Sequence, residues 1–312
     1  MEIRQLRYFV RVVELGSMGR ASAELGVTTS TLSQQISTLE SGLSTRLLQR
    51  RSTGVVPTAA GLDFYRQAQL ILRQVEDAAR IAQHGRLSGH VSVGMAPTTA
   101  ARLAIPFMQA MRERYADIRI HVVEGLSGHV SALLNSRQID LAIVFDTQAA
   151  RRWSVMPLLE ERLFLIGLPA LLEGLPRDAD GTLPLAGIGA LPLVLPSESA
   201  GSLRALVDTA LRRTAIRPNV IAEVDGLGTL LDAVRAGMGA TVHSASALAL
   251  LRDGPLTALE VSDRELRRQS LLASLSDDEL SPAGLAARVV LAETARALLG
   301  RGAWRGAELA HA

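Results

Sequence analysis

Leu6, Phe9, Val10 and Val13 recur at i, i+3, i+4 and i+7, the apolar stripe of an amphipathic helix, so a core helix is expected at the start of the chain. Ser17 suits the N-cap of a short second helix ending at Leu25, after which Gly26 supplies the positive φ of a tight turn. Thr28 caps a third helix over 28–40, in which Leu32, Ile36 and Leu39 share one face at i, i+4 and i+7. Ser30, Ser33, Gln34, Ser37 and Thr38 face away from that stripe, and this outer surface is short, polar and uncharged. Arg50, Arg51 and Ser52, followed by Thr53-Gly54 and Val55-Val56-Pro57, predict a two-stranded wing with a basic edge.

Amides and hydroxyls pair with base edges, and small side chains let a helix approach the major groove closely. The third helix is therefore expected to be a recognition helix, with Thr29, Ser30, Ser33 and Gln34 on the bases and Thr28 and Thr31 beside them. Any three-helix unit with a solvated Ser/Thr/Gln face would share this pattern. The wing separates the two readings, because Arg50, Arg51 and Ser52 supply phosphate contacts next to the helix. Charge agrees: residues 1–90 hold eleven Arg against seven acidic residues, net +4, whereas residues 91–312 hold twenty-two Arg against twenty-four, net −2.

In the segment 58–88, Tyr65, Ala68, Leu72, Val75, Ala79 and Ala82 alternate in steps of three and four, an a/d seam that predicts a dimerisation helix. Arg66, Arg73 and Arg80 recur every seven residues on another face, a solvated stripe or a second DNA contact. A helix packed on its own domain is the competing reading. It ranks second because Gly85 to Gly89 breaks the pattern as a hinge would. Pairing would let two recognition helices reach half-sites about one helical turn apart.

From His90 onward short aliphatic runs alternate with amphipathic helices, as in a doubly wound parallel sheet. Strands are expected at 91–95, 118–123, 139–145, 164–168, 193–195, 220–224 and 240–242, a return strand at 267–275, and helices near 98–114, 127–136, 201–214, 226–237 and 281–300. Two α/β lobes follow, 90–162 with 268–300 and an inserted 163–267. Residues 301–312, with Trp304 and Arg305, read either as a loose tail or as a packed clasp.

Leu6 to Phe9, Gly16-Ser17, Ala21, Leu25, Leu32-Ser33, Ile36, Leu39-Glu40, Leu47, Arg50 and Thr58-Ala-Ala-Gly61 together resemble the LysR-type transcriptional regulators over about sixty ordered positions. Leu32-Ser-Gln-Gln-Ile36, Leu39-Glu40, Gly54-Val-Val-Pro-Thr58 and Leu87-Ser-Gly-His-Val-Ser-Val-Gly94 look most like the nitrogen-assimilation-control branch. The chain departs from the family at Thr29, usually Gln and a base contact, at Ser44, usually Gly, and at Leu48, often Phe. The first of these bears on the operator sequence. The resemblance implies an α+β multidomain chain: a winged helix-turn-helix domain at 1–60, a linker helix at 58–88, and a two-lobed, periplasmic-binding-protein-like sensor domain. Its implied partners are double-stranded promoter DNA, a small-molecule effector, other copies of the chain and RNA polymerase.

In such lobes ligands sit beyond the carboxyl ends of the strands, facing helix N-termini. Thr98, Thr99, Ser127, Ser197, Ser199 and Thr241 fall where the family commonly contacts its effector, although each hydroxyl could equally serve as a helix cap. Asp146 and Glu198 would oppose an anion if they faced the pocket, so the ligand's charge stays open, and His243 stands where the family often has a Leu-Pro pair. The nitrogen-assimilation branch is also associated with action without an obvious coinducer, which leaves an effector-independent regulator as the alternative.

The absence of Cys removes disulfides, thiol redox sensing and thiolate metal sites. All thirty-three basic residues are Arg, a usage that reflects genome composition rather than function. No run of about 20 apolar residues is present and the first residues do not read as a signal peptide, so a cytoplasmic protein without a membrane partner is expected. An enzyme is the rival from another class, and its constellations are missing. The six His lack metal-ligand spacing, no Gly-x-Ser-x-Gly occurs, and Gly226-Leu-Gly228 and Gly237-Met-Gly239 read as turns. No catalytic residue, metal or cofactor is expected. A solute-binding protein without DNA affinity is opposed by residues 1–60.

Overall fold

A computed structural model describes residues 1–310 apart from 52–53, 85–86, 149, 151–152, 190, 198–202, 252–253, 264 and 277–278. The side chains of Arg50, Arg73, Gln74 and 76–84 also lie outside the described set. Two compact units result, one built on Met1–Ser88 and one on Gly89–Asn135 with Ile139–Ala312.

The first unit runs α1 (Ile3–Leu15), α2 (Met18–Glu24), α3 (Thr29–Gly42), β1 (Leu48–Arg51), β2 (Gly54–Pro57) and α4 (Ala59–His84). Its capping is as the sequence predicts: the Ser17 hydroxyl accepts the Arg20 N–H, and the Thr28 hydroxyl accepts that of Thr31. Leu6, Phe9, Val10, Leu32, Ile36 and Leu39 form the core together with Val12, Ala21 and Leu47. Phe9 meets Phe64 of α4 edge to face at 5.2 Å. β1 and β2 pair antiparallel, with Arg50 opposite Val55. Two glycines fix the joints. A Cβ on Gly54 would stand 2.5 Å from the Gly16 carbonyl oxygen, and one on Gly61 would stand 1.9 Å from that of Leu47.

The second unit runs β3 (Gly89–Met95), α5 (Pro97–Arg114), β4 (Ile118–Glu124), α6 (Ser127–Asn135), β5 (Leu141–Val144) and β6 (Trp153–Gly167). It continues through the short α7 (Pro169–Leu172) and α8 (Ala186–Gly189), then β7 (Pro192–Leu195), α9 (Leu203–Arg213), β8 (Asn219–Glu223), α10 (Leu227–Arg235) and β9 (Thr241–Ser244). A 3-10 turn (Ala245–Leu251), β10 (Thr257–Glu260), β11 (Arg267–Leu275), α11 (Pro282–Gly300) and β12 (Ala307–Leu309) complete it. β4, β3 and β5 are parallel, and β11 joins β5 and β6 antiparallel.

β6 belongs to both lobes. Trp153 to Arg162 pair with β11, whereas Leu163 to Ile166 pair with β9 and Phe164 to Gly167 with β10. An isolated bridge between Leu193 and Ala240 continues the second lobe's sheet to β7 and β8, which run parallel. Sequence periodicity finds only the apolar end of β6 at 164–168, because Pro157 and the charged Glu160-Glu161-Arg162 interrupt the run. β10 and β12 are likewise unforeseen. The chain end is a clasp: Trp304 is buried, the Gly306 carbonyl accepts the Arg162 N–H at 2.8 Å, and β12 pairs with Leu159 to Glu161. Among the described residues no helix is long and apolar enough to cross a membrane.

Candidate nucleic-acid interface and ligand crevice

α3 and the wing enclose a groove of about 960 Å³. Met18, Ile36, Leu48 and Val55 form its floor, and hydroxyls, an amide and cations form its walls: Ser33, Ser37, Thr45, Gln49, Arg46 and Arg51. Glu40 also lines it, but one of its carboxylate oxygens already accepts the N–H groups of Leu47 and Leu48. Donors and guanidinium groups around a trough are the inventory that a sugar-phosphate strand requires. At the N-terminal end of α3, Thr28, Thr29, Ser30, Thr31 and Gln34 are exposed and Ser33 is half-buried. Four of these hydroxyls are already paired, Thr29 with Ser22 at 2.9 Å and Thr28 with Ser30 and Thr31. Arg51 lies exposed on β1; Ser52 and the side chain of Arg50 lie outside the described residues. Arg46 and Gln49 are additions to the expected set, and the only signal for them is their place between helix and wing.

On α4 the expected seam divides. Ala68 is fully buried in the core of its own unit, so it is not on an outward face; this corrects its assignment as a dimerisation residue. Tyr65 and Leu72 are half-buried against the same core, and the Tyr65 hydroxyl donates to Glu14 at 3.4 Å while accepting from Gln69 at 2.7 Å. Burial, then the Glu14 charge, raises the Tyr65 pKa. Val75 is half-buried and stands apart from that cluster, and the Ala79 side chain lies outside the described residues.

In the second unit, the first residues of four helices converge on one crevice: Pro97 and Thr98 of α5, Leu126 and Ser127 at α6, Leu203 of α9, and Leu227 of α10. Of the expected contacts, Thr98, Ser127 and Ser197 line it. Among the described residues Thr99 and Thr241 are buried without a hydrogen-bond partner on either hydroxyl and are not among its lining residues, and Ser199 lies outside the described residues. Ser197 donates its N–H and its hydroxyl to Asp225 at 3.0 and 2.6 Å, and these bonds hold the Asp225 carboxyl below its ordinary pKa.

The crevice also holds two groups that the sequence reading did not assign to it. Arg268 of β11 is 8% exposed, its guanidinium 3.3 Å above the Phe145 ring. Burial lowers its pKa to about 10, against the opposing pull of Glu161. His243 of β9 is 6% exposed, and neither ring nitrogen has a hydrogen-bond partner among the described residues. Burial first, and Arg268 second, lower its pKa to about 3, so the ring is neutral at pH 7. Arg268 sits at an inward place on β11, between the half-buried Arg267 and the exposed Gln269, and nothing in the sequence spacing marks it. Among the described residues no three His, Asp or Glu side chains cluster as a metal ion would need.

Two family models match the chain: "Bacterial regulatory helix-turn-helix protein, lysR family" over residues 3–62, and "LysR substrate binding domain" over 84–296. The chain is 36% identical over 252 residues to the nitrogen assimilation regulatory protein nac of Escherichia coli K12 and 34% identical over 251 residues to that of Klebsiella aerogenes. Each alignment covers 79% of both partners. Among solved structures, full-length CbnR complexed with its target DNA covers 95% of this chain and 100% of its own at a TM-score of 0.72. At 22% identity that likeness is one of fold. A Corynebacterium glutamicum OxyR mutant covers 97% and 95% at a TM-score of 0.58 and 26% identity.

Proposed function

The chain belongs to the LysR family of bacterial transcriptional regulators, with a DNA-binding helix-turn-helix unit and an effector-binding unit, and from that premise we propose how its residues divide the work. The exposed N-terminal end of α3 reads base edges through Thr28, Thr29, Ser30, Thr31, Ser33 and Gln34. Arg51 of the wing and Arg46, which both line the groove, neutralise phosphates, with Arg50 as a further cation and Ser52 as a hydroxyl donor to the phosphate oxygens. The observation that carries this reading is the groove itself, whose walls are donors and guanidinium groups and whose one acidic residue is tied to backbone N–H groups.

Domains follow as 1–60 for DNA binding, 58–88 for the linker, and lobes of 90–162 with 268–300 and of 163–267. Copies of the chain pair along the outer face of α4, with Val75 and Ala79 as the residues left to the partner, and present two recognition helices to promoter DNA. An effector in the crevice, near Thr98, Ser127 and Ser197, favours one lobe arrangement and so shifts promoter occupancy; couplings of about 1–3 kcal/mol suffice. RNA polymerase is the partner downstream, the compartment is the cytoplasm, and no catalysis is involved. Similarity to the two nac proteins supports a place in that sub-branch. It also supports a second reading, regulation without an effector, favoured by a crevice of only about 70 Å³.

The test is selection of genomic fragments by the purified full chain at near-physiological salt, read by sequencing. Enrichment of a dyad-symmetric site upstream of particular genes is the expected result. Uniform, salt-sensitive retention without a motif would overturn specific regulation.

A further inference from the structure

We propose that the crevice of the second unit receives a compact apolar monocarboxylate, its carboxylate held by Arg268 and its tail lying against the leucine wall. The proposal rests on the crevice being the effector site.

Three observations define the ligand. The first is a buried cation that stacks on the Phe145 ring but lacks a hydrogen-bonding anion among the described residues. Arg268 is almost fully buried, its Nε has no hydrogen-bond partner, and no ion pair reaches it among the described residues. Glu161 attracts it through space but forms no ion pair with it among the described residues: one Glu161 oxygen takes the N–H and hydroxyl of Ser246 and the Trp304 indole, and the other is buried without a hydrogen-bond partner. A buried guanidinium left in this way has a strong requirement for a planar anion that can accept two parallel N–H bonds. His243 beside it presents ring nitrogens without partners, and the neutral ring can donate one further bond to the same anion.

The second observation is the number of charges. Four helix starts add positive potential at the crevice. Asp225, an exposed residue that also lines it, is held toward its ionised form by Ser197, so a second negative charge on the ligand would lie near a carboxylate. A monoanion is therefore favoured over a dianion.

The third is shape. Leu126, Leu203, Val224, Leu227 and Leu230 form the remaining wall. The free volume of about 70 Å³ leaves room for a carboxylate and a few carbons, and a bulky ring enters only if the lobes open.

The experiment is thermal unfolding and calorimetric titration of the full chain with 2-methylpropanoate and 3-methylbutanoate, against succinate and the neutral isostere 2-methylpropanamide. The monocarboxylates are expected to raise Tm in proportion to the logarithm of their concentration. The amide is expected to bind about tenfold or more weakly, because it leaves the guanidinium without its charge partner, and succinate more weakly than either acid. This comparison uses the unaltered protein, so it does not depend on a variant folding. Arg268→Met should abolish the shift and Arg268→Lys should retain part of it. No shift with either monocarboxylate, or equal binding of the amide, overturns the proposal. Leu227→Trp, which fills the crevice, separates the two levels. Amide binding that this variant abolishes would leave the crevice as the effector site and remove only the anion, whereas carboxylate binding that survives it would remove the crevice reading itself.

Discussion

The Glu40 carboxylate on α3 accepts the backbone N–H of Leu47 at 2.7 Å, and the same oxygen takes that of Leu48 at 2.9 Å. The recognition helix is thereby bonded to the first residues of the wing, and an acidic side chain on the DNA-facing groove has its charge directed inward. Glu40→Ala is expected to destabilise the first unit by roughly 2–3 kcal/mol, the range for lost bonds to a charged group. If the wing carries the proposed phosphate contacts, DNA affinity should fall alike on specific and random sequence. Glu40→Gln keeps an acceptor and should fall between. Denaturant melts and binding titrations of the two variants check this, and an alanine variant as stable as the parent would refute it.

Arg51 and Gln34 should fail differently. On the proposed division of roles Arg51→Ala removes a phosphate contact, so binding should weaken on every sequence and the slope of log K against log salt should shrink by about 0.9. Gln34→Ala removes the proposed base-edge contact, so about 1–3 kcal/mol should be lost on the preferred site and little on random DNA. Titrations across a salt series on both DNAs would show equal losses for the two variants if the division of roles is wrong.

Because Ala68 and Leu72 pack on the unit's own core, substitutions there confound folding with pairing. Val75 separates the two. Val75→Asp is expected to lower the mass seen by light scattering while the melting of the first unit stays within about 0.5 kcal/mol, the usual range for a surface change. An unchanged mass would move the interface off this face of α4.

The first unit was legible in detail because its signals are local: caps at Ser17 and Thr28 and apolar steps of three and four depend on neighbours in the chain. Ala68 was misplaced because an a/d seam looks the same whether it packs on a partner or on Phe9 and Phe64. In the crevice, Thr98, Ser127 and Ser197 were legible because helix starts after strands announce themselves. Arg268 and His243 were not, since their importance comes from what surrounds them in space, and neither a buried unpaired guanidinium nor a partnerless imidazole leaves a mark on sequence spacing. β6 was cut short for a related reason: Glu161 breaks an apolar pattern, yet it is fully buried because residues 85 and 143 positions away bring it donors.

That last bond makes the chain end structural. Trp304 is buried and its indole N–H donates to Glu161 at 3.2 Å. Trp304→Ala should destabilise the second unit by about 3–5 kcal/mol, as large aromatic deletions do. Trp304→Phe keeps most of the apolar contact and loses the bond, so it should cost less, on the order of 1–3 kcal/mol for the acceptor left short. Calorimetry of the full chain distinguishes these, and a Trp304→Ala variant that melts with the parent would mean the clasp is loosely held.

His243 gives the fold a dependence on acid. Burial and Arg268 hold its folded-state pKa at about 3, while an unfolded histidine titrates near 6.5. Above about pH 6.5 neither state binds this proton, and its contribution to stability is flat. Between about 6.5 and 3 the unfolded chain takes up a proton that the folded chain refuses, so stability falls as pH falls, by up to about 1.4 kcal/mol per pH unit. Other groups titrate in the same window, and the informative quantity is the difference between the parent and His243→Gln, which has no proton to gain. The variant's stability should fall less steeply from pH 6.5 to 5, so that a variant weaker than the parent at pH 7.5 closes the gap in acid. Parallel slopes for the two proteins across that interval would mean that the ring is accessible to protons in the folded state, and the crevice would then be wetter than its buried, partnerless imidazole implies.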